Sequence, residues 1–284
     1  MNFCLTKNCT LISCLLFVIC VLLSCNLNNR THNSQQKSEL HNDTVELGES
    51  LNIEKLSIRN DSNKSLLVEY NIEYLNPQDS LSTKINTLLL KALISSDFDD
   101  ADFKHAVQDY HTREVNVLTN ELSLEMYANG NADIEYGFYS IRNGKFINHS
   151  HDKVISYSVE TNVYYGGAHG MHEIKYLNFC KKDGRQIHIE DVLDMSDESK
   201  ITDLLLTQLL KDNNVSNVEQ LMEKTSLLTI NDLYVTDNFL LGKETITFHY
   251  NPYEIGPYAS GSTDITITLS SIKPYVKGNI FKNQ

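Results

Sequence analysis

Apolar and polar residues alternate along residues 66–74, so every second side chain falls on the same side of an extended chain. A period of two predicts a strand with one buried face, and Asn76 and Pro77 mark its end. The apolar positions of this strand are Leu66, Val68, Tyr70, Ile72 and Tyr74.

Two stretches with helical spacing follow this strand. In the first, leucine and isoleucine recur three and four residues apart from Leu81 to Leu93, and either Asp79 or Ser80 can cap its beginning. The second covers residues 102 to about 127, and Asn129-Gly130 is expected to stop it. Its expected apolar positions include Phe103, Val107, Tyr110, Val117 and Leu118.

Strands predominate in the rest of the chain. Asn143-Gly144 favours a two-residue hairpin turn between a strand over residues 134–142 and another that begins at Phe146. The pattern predicts an α+β fold with helices inserted between antiparallel strands. The other expected strands are 154–165, 173–180, 186–189, 233–241, 245–250 and 264–269, and the expected helices or helical turns are 191–195, 200–210, 218–222 and 270–275.

The N-terminus has the pattern of an exported bacterial lipoprotein. Lys7 precedes a mostly apolar run over residues 11–23. As a helix this run spans about 20 Å, less than the ~30 Å hydrocarbon core, so it predicts a cleavable signal peptide over residues 1–24. Leu22, Leu23 and Ser24 before Cys25 resemble a lipobox. The resemblance implies cleavage before Cys25 and lipid, such as palmitate, on that residue; the alternative is an ordinary signal peptide that ends in cysteine.

The residues after Cys25 indicate where the protein is expected to be located. Residues 25–50 are polar and lack aromatic residues, which indicates a flexible tether. No acidic residue directly follows Cys25, which favours a lipid-anchored protein of the cell envelope that faces the periplasm from the outer membrane.

Charge and cysteine content narrow the function classes. The formal net charge is −13 and no Lys/Arg cluster interrupts it, so nucleic acid is excluded as a partner and membrane contact is expected only through the lipid. A basic partner protein fits this charge. Four of the six cysteines lie in the leader, which leaves Cys180 as the one thiol besides Cys25. A buried structural role is favoured for Cys180 over a nucleophile, because no neighbouring base is evident.

Two tyrosine- and glycine-rich segments, residues 164–172 and 250–261, carry the candidate chemistry. A metal site could use His169 and His172 with Glu254, although a spacing of three residues around a glycine is unusual for zinc. A glycine hairpin with a hydrogen-bonded His169 explains most of the first segment, and ligand contact through exposed side chains is the third interpretation. We expect no catalytic residue, metal or cofactor. The candidate ligand-binding residues are Tyr165, His169, Tyr253, Glu254 and Tyr258.

These segments resemble a known pair of domains. YYGGAHG at 164–170, Asn178-Phe179 with DGRQIHIEDVL at 183–193, and FLLGKETITFHYNPYEIGPYASG at 239–261 are similar to the extracellular domains of RsiV-type anti-sigma factors. The same pair stands beside the catalytic domain of PdaC-type peptidoglycan deacetylases. The match covers roughly residues 51–275. Cys180 stands where the family usually has Asp, and Arg185 where Lys is common.

The resemblance implies two α+β subdomains, which we place at 51–165 and 166–284. It also implies a non-enzymatic binding role toward peptidoglycan, another glycan or a lysozyme-like cationic protein. The alternative is a metal-assisted hydrolase or deacetylase acting on cell-wall glycan. A third interpretation is a structural lipoprotein that assembles with another envelope protein.

Overall fold

The computed structural model describes residues 51–60, 65–94, 102–128, 137–148, 150–228 and 232–278, without the side chains of 125–128. These residues form two sheets and several helices, which confirms the α+β prediction. The expected leader, Cys25, the tether and the Asn129-Gly130 helix stop lie outside the described residues.

The larger sheet has six strands that are neighbours in chain order. All adjacent pairs are antiparallel except the second and third strands, which are parallel. Parallel neighbours need a long crossover, and two helices supply it, α1 (Ser80–Leu93) and α2 (Phe103–Ala128). The strands are β1 (Ile53–Asn60), β2 (Leu66–Leu75), β3 (Phe138–Ile147), β4 (Val154–Tyr164), β5 (Met171–Cys180) and β6 (Gln186–Ile187).

Helix α1 begins where the sequence predicts, and α2 covers nearly the same residues as the predicted helix. Asp79 is the N-cap of α1, since its Oδ1 accepts a hydrogen bond from the Ser82 backbone N–H at 2.7 Å. Val107 and Leu118 of α2 are buried as expected. Val117, by contrast, is 53% exposed, so its expected apolar contact is wrong.

The hairpin expected at Asn143-Gly144 is wrong, because β3 runs straight through both residues. A Cβ atom on Gly144 would lie 2.1 Å from the Tyr157 hydroxyl, so glycine is required here to admit a buried ring. That hydroxyl donates to the Glu73 carbonyl at 2.8 Å. Packing against the neighbouring strand therefore explains the glycine that the sequence indicated as a turn.

Strand β4 serves two hydrophobic cores. Ile155, Tyr157 and Val159 face the core under α1 and α2, which we call the first core. Val154 points the other way and belongs to a second core. This explains why the first six residues of β4 are buried without alternation, whereas the last five are half-buried.

The C-terminal elements enclose the second core. A strand was expected over 233–241, but β7 covers only Phe239–Leu241, and the residues before it that the structure describes have no regular secondary structure. It pairs with β8 (Thr245–Tyr250), which pairs with β9 (Thr263–Thr268), all antiparallel. The helices are α3 (Ile189–Val192), α4 (Glu198–Asp212) and α5 (Val218–Thr225), with short 3-10 turns at Met195–Asp197, Tyr258–Ser260 and Lys273–Tyr275.

Three asparagine side chains join the two sheets. Asn178 donates to the Phe239 carbonyl at 2.7 Å and accepts from the Leu241 N–H at 3.2 Å. Asn238 and Asn251 bind the backbone of β5 along its outer edge, where they occupy hydrogen-bonding positions that a neighbouring strand would use. The edge of β5 is thereby closed to pairing with another chain at these positions.

Within the described residues, no helix has the length and apolar character needed to cross a membrane. The six-stranded sheet continues past residue 166 to Ile187. The subdomain boundary placed between 165 and 166 stays a prediction. Cys180, expected to be buried, is half-buried and packs against the second core.

Candidate functional site

The first tyrosine- and glycine-rich segment forms a tight turn between β4 and β5. Gly166 and Gly167 have φ angles of 90° and 91°, a region that glycine enters without steric cost. The Tyr164 hydroxyl donates to the Gly167 carbonyl at 3.0 Å and closes the turn. Tyr165 and His169 are exposed on it.

Aromatic side chains from the two candidate segments meet in what we call the aromatic cluster, His169, Tyr253 and Tyr258. The His169 and Tyr258 rings stack with centroids 3.8 Å apart and planes 15° from parallel. The Tyr253 ring centroid lies 5.7 Å from that of Tyr258, and its hydroxyl is 3.3 Å from His169 Nε2. Residues 84 positions apart in the chain thus form one surface.

The backbone at Tyr253 adopts a conformation that tyrosine rarely takes. Its φ is 74°, and the side chain is 47% exposed, so burial does not account for the strain. Buried Pro252 and Ile255 anchor the loop on either side, and Glu254 Oε2 accepts from the Asn251 N–H at 2.6 Å. Strain held in place around an exposed aromatic residue is typical of binding sites.

Tyr165 and Glu254 line an open cleft of about 560 Å³. It lies where the sheet extends beyond its helical cover, over the half-buried end of β4 and the adjoining end of β5. Asn238 and Asn251 also line it, as does Ala92 of α1. The other polar side chains at the cleft are Arg142, Thr161, Glu173 and Lys175.

A buried ion pair supports this cleft from below. Arg142 Nη2 lies 3.2 Å from Glu114 Oε1, and the two side chains are 16% and 11% exposed. Nη1 of Arg142 donates to the Leu93 carbonyl at 3.1 Å. Ser140 and Tyr70 both donate to the Glu114 carboxylate, and the Tyr165 hydroxyl reaches it at 3.5 Å. The exposed Tyr165 is therefore tied to a buried charge.

The local electrostatics favour the neutral form of Tyr165 and the charged form of Arg142. Burial raises the pKa of the Tyr165 hydroxyl, and the Glu114 charge adds to that effect. Burial disfavours the charged form of Arg142, but the neighbouring Tyr70 and Glu114 outweigh it, and the pKa of Arg142 is raised. Arg142 is thus a permanent cation at the cleft.

The histidines proposed as metal ligands each have protein contacts. His169 Nδ1 lies 2.9 Å from the Gly170 carbonyl and His172 Nδ1 lies 2.5 Å from Asn162 Oδ1. Among the residues that the structure describes, no three His, Cys, Asp or Glu side chains are grouped so that they could hold a metal ion.

The five candidate residues thus fall into two connected sets. Three form the aromatic cluster, while Tyr165 and Glu254 line the cleft, and each set takes residues from both sequence segments. The sequence analysis missed Glu114, Arg142, Glu173 and Lys175. The charged residues of β5 alternate with Ile174, and this alternation was the available signal, but the neighbouring strand's register is needed to place them.

Comparisons with known proteins agree with the fold and say nothing of a ligand. A DUF3298 family protein from Bacteroides fragilis superposes with a TM-score of 0.74 at 23% identity, over 82% of this chain and 96% of that one. A second, from Pseudomonas aeruginosa, gives 0.59 at 16% identity over 83% and 99%. None of the curated proteins matches the chain. Residues 190–270 match the model of DUF3298, a family described as a protein of unknown function.

Proposed function

We propose that this chain is a lipid-anchored protein of the bacterial cell envelope that binds peptidoglycan without chemical turnover. The aromatic cluster beside the cleft is the observation that carries the binding role. Exposed Tyr253 and half-buried Tyr258 offer apolar ring surface to the C–H face of a sugar ring and hydroxyls to its polar groups. A cleft of about 560 Å³ lies in the size range of small-ligand sites.

The positions of the conformationally fixed residues support binding over hydrolysis. Tyr253 is held at φ 74° between buried anchors, so the cluster is arranged before any ligand arrives. His169 Nε2 contacts the Tyr253 hydroxyl, and the imidazole ring stacks on Tyr258. These contacts fix the orientation of the ring and do not leave it free for proton transfer.

The test is co-sedimentation of the full chain, in detergent, with purified insoluble peptidoglycan. We expect the chain to sediment and Tyr258→Ala to reduce the bound fraction about tenfold, because Tyr258 stacks on His169 and lies beside Tyr253. Tyr275→Ala is the matched control, since this half-buried tyrosine packs against the second core. Equal recovery of chain with and without peptidoglycan would sink the proposal.

A second candidate partner is a lysozyme-like cationic protein. The net charge of −13 favours it, because opposite charges accelerate association and fix orientation. Surface plasmon resonance with immobilised lysozyme separates the two partners. Salt-sensitive binding of lysozyme, together with no sedimentation on peptidoglycan, would favour a lysozyme-like protein over peptidoglycan as the partner.

The lipid anchor is tested at Cys25. We expect radiolabelled palmitate to enter the wild-type chain and to be absent from Cys25→Ser, with the wild-type chain in the outer-membrane fraction. Cys180→Ser is the control and should label like the wild type, since Cys180 packs against the second core. Label retained on Cys25→Ser would contradict the anchor.

A further inference from the structure

The floor of the cleft is a row of side chains fixed by strand register. Arg142 pairs with Thr161 across β3 and β4, and Thr161 pairs with Glu173 across β4 and β5. Directly paired residues point to the same face with Cβ atoms about 5 Å apart, so the Arg142 and Glu173 side chains start about 10 Å from each other. A cation and a carboxylate therefore stand at opposite ends of one row.

Glu173 and Lys175 on β5 differ from Arg142 in their contacts with the protein. Glu173 and Lys175 are exposed, and within the described part of the chain neither side chain has a hydrogen bond or ion pair with the protein. They lie two residues apart on the same face of β5, about 7 Å along the strand. Arg142, in contrast, is held by Glu114 and the Leu93 carbonyl. The cleft thus presents one carboxylate and one ammonium without protein partners.

The amides of Asn238 and Asn251, which also line the cleft, do not add to recognition. Asn251 accepts from the Ile174 N–H at 2.7 Å and donates to the Ile174 carbonyl at 3.1 Å, and Asn238 donates to the same carbonyl at 2.7 Å. Both side chains are used to close the edge of β5. A ligand in the cleft meets the charged side chains of β5 together with Tyr165 and Glu254.

We propose that the cleft binds a short peptide that carries both a free ammonium and a free carboxylate, the ammonium on Glu173 and the carboxylate on Lys175. An uncharged sugar would use neither charge, whereas a zwitterionic peptide forms a charge-assisted hydrogen bond to each. This inference rests on the proposed function and assigns the cleft to the peptide part of peptidoglycan, which leaves the glycan to the aromatic cluster.

Isothermal titration calorimetry of the full chain tests the assignment with four probes. They are a tripeptide with a blocked N-terminus, a C-terminal carboxylate and a lysine ammonium, the same peptide amidated at its C-terminus, the same peptide acetylated on the lysine, and an uncharged chito-oligosaccharide. We expect amidation and acetylation each to weaken peptide binding about tenfold, since each removes one charge-assisted hydrogen bond.

The variants connect each ligand charge to one side chain. Glu173→Gln should bind the free and the acetylated peptide equally, and Lys175→Met should bind the free and the amidated peptide equally. Lys145→Met and Glu219→Gln are the controls, because Lys145 is exposed on the opposite face of the sheet and Glu219 is exposed on α5. Both controls should keep the full tenfold preference.

Three results overturn the inference and remain distinguishable. If the chito-oligosaccharide binds and the peptides do not, the proposed function stands and the cleft assignment is wrong. If no probe binds and the chain also fails to sediment with peptidoglycan, both are wrong. Peptide binding with unchanged charge preference in Glu173→Gln and Lys175→Met also contradicts the assignment of the two side chains.

Discussion

The two hydrophobic cores differ in the polar groups that they enclose. The first core surrounds the Glu114–Arg142 ion pair and holds buried Asn86 and His111. The second core is built from aliphatic and aromatic side chains around α4 and the three-stranded sheet. Only the first core borders the floor of the cleft, where Arg142 emerges. Because the charged Arg142 is largely buried, the stability of the first core depends on the Glu114 carboxylate that pairs with it.

The largest expected effect is the loss of that partner. Glu114→Ala leaves the Arg142 cation nearly buried without its carboxylate, and we expect a loss of about 3–5 kcal/mol in the free energy of unfolding, measured by urea denaturation. Leu205→Ala, at a fully buried position in the second core, is the comparison and should cost about 2–5 kcal/mol through a cavity.

A double substitution separates the two mechanisms. Glu114→Leu with Arg142→Met replaces both charges by apolar groups, so we expect it to recover most of the stability that Glu114→Ala loses. No second substitution should rescue Leu205→Ala in this way. If the double variant is as unstable as Glu114→Ala, the cost does not come from an unpaired charge.

The asparagine link between the cores comes next in size. Asn178→Ala removes hydrogen bonds to Phe239, Leu241 and Ser156 in a buried place, and we expect a loss of about 2–3 kcal/mol. Because the link holds β7 to β5, hydrogen exchange should show lower protection in β7 and β8 before the first core opens. Asn162→Ala, a half-buried position on the same sheet, should change stability by less than about 0.5 kcal/mol. Uniform loss of protection in both cores would contradict this local role.

Local signals in the sequence predict much of this fold. Period-two alternation places β2 within one residue, and Thr245–Tyr250 is β8. The failures come from contacts that local sequence does not encode. Gly144 leaves room for the ring of Tyr157 on the next strand, and the described residues before Phe239 have no regular secondary structure.

The site divides in the same way. Tyrosine and glycine content is enough to indicate the two segments, and the structure brings His169 onto Tyr258. Glu114 is on a helix whose pattern marks it as an ordinary polar position. Its carboxylate pairs with Arg142, whose position opposite Thr161 is set by strand register, and register is a property of the paired strands.

Alkaline pH should affect both cores through buried tyrosines. Burial and the Glu54 carboxylate raise the pKa of Tyr74 to about 12, and burial also raises the pKa of Tyr250. A folded pKa above the unfolded value of about 10 means that the stabilisation is complete below about pH 10 and is lost as pH rises through the folded value. We expect circular dichroism to show unfolding of the wild type above about pH 10.

Phenylalanine variants sharpen the comparison of the cores. The Tyr250 hydroxyl donates to the Tyr234 carbonyl at 2.5 Å. Tyr250→Phe removes this donor, and we expect it to lower the free energy of unfolding by about 1 kcal/mol at neutral pH. Above about pH 10 it should lose stability less steeply than the wild type, since one buried hydroxyl no longer has to ionise. Tyr74→Phe should do the same in the first core. Equal alkaline slopes in the wild type and both variants would exclude these tyrosines as the cause.

The smallest expected effect is at the edge of the second core. Asp191 accepts from the His188 N–H at 2.9 Å and from Arg185 Nη1 at 2.7 Å. Burial alone would raise the pKa of Asp191, but these donors outweigh it and lower that pKa. A folded pKa below the unfolded value of about 3.9 gives stabilisation that is present above that pH and is lost as pH falls through the folded value.

Asp191→Asn should therefore cost about 0.5 kcal/mol at neutral pH, because the partly exposed ion pair with Arg185 is screened by solvent. The urea midpoints of the variant and the wild type should converge as pH falls toward about 2, where the wild-type carboxylate is protonated. Asp152→Asn is the control, with a side chain that is 84% exposed, and should match the wild type throughout. A constant difference between Asp191→Asn and the wild type down to that pH would show that the side chain stabilises α3 by its shape and not by its charge.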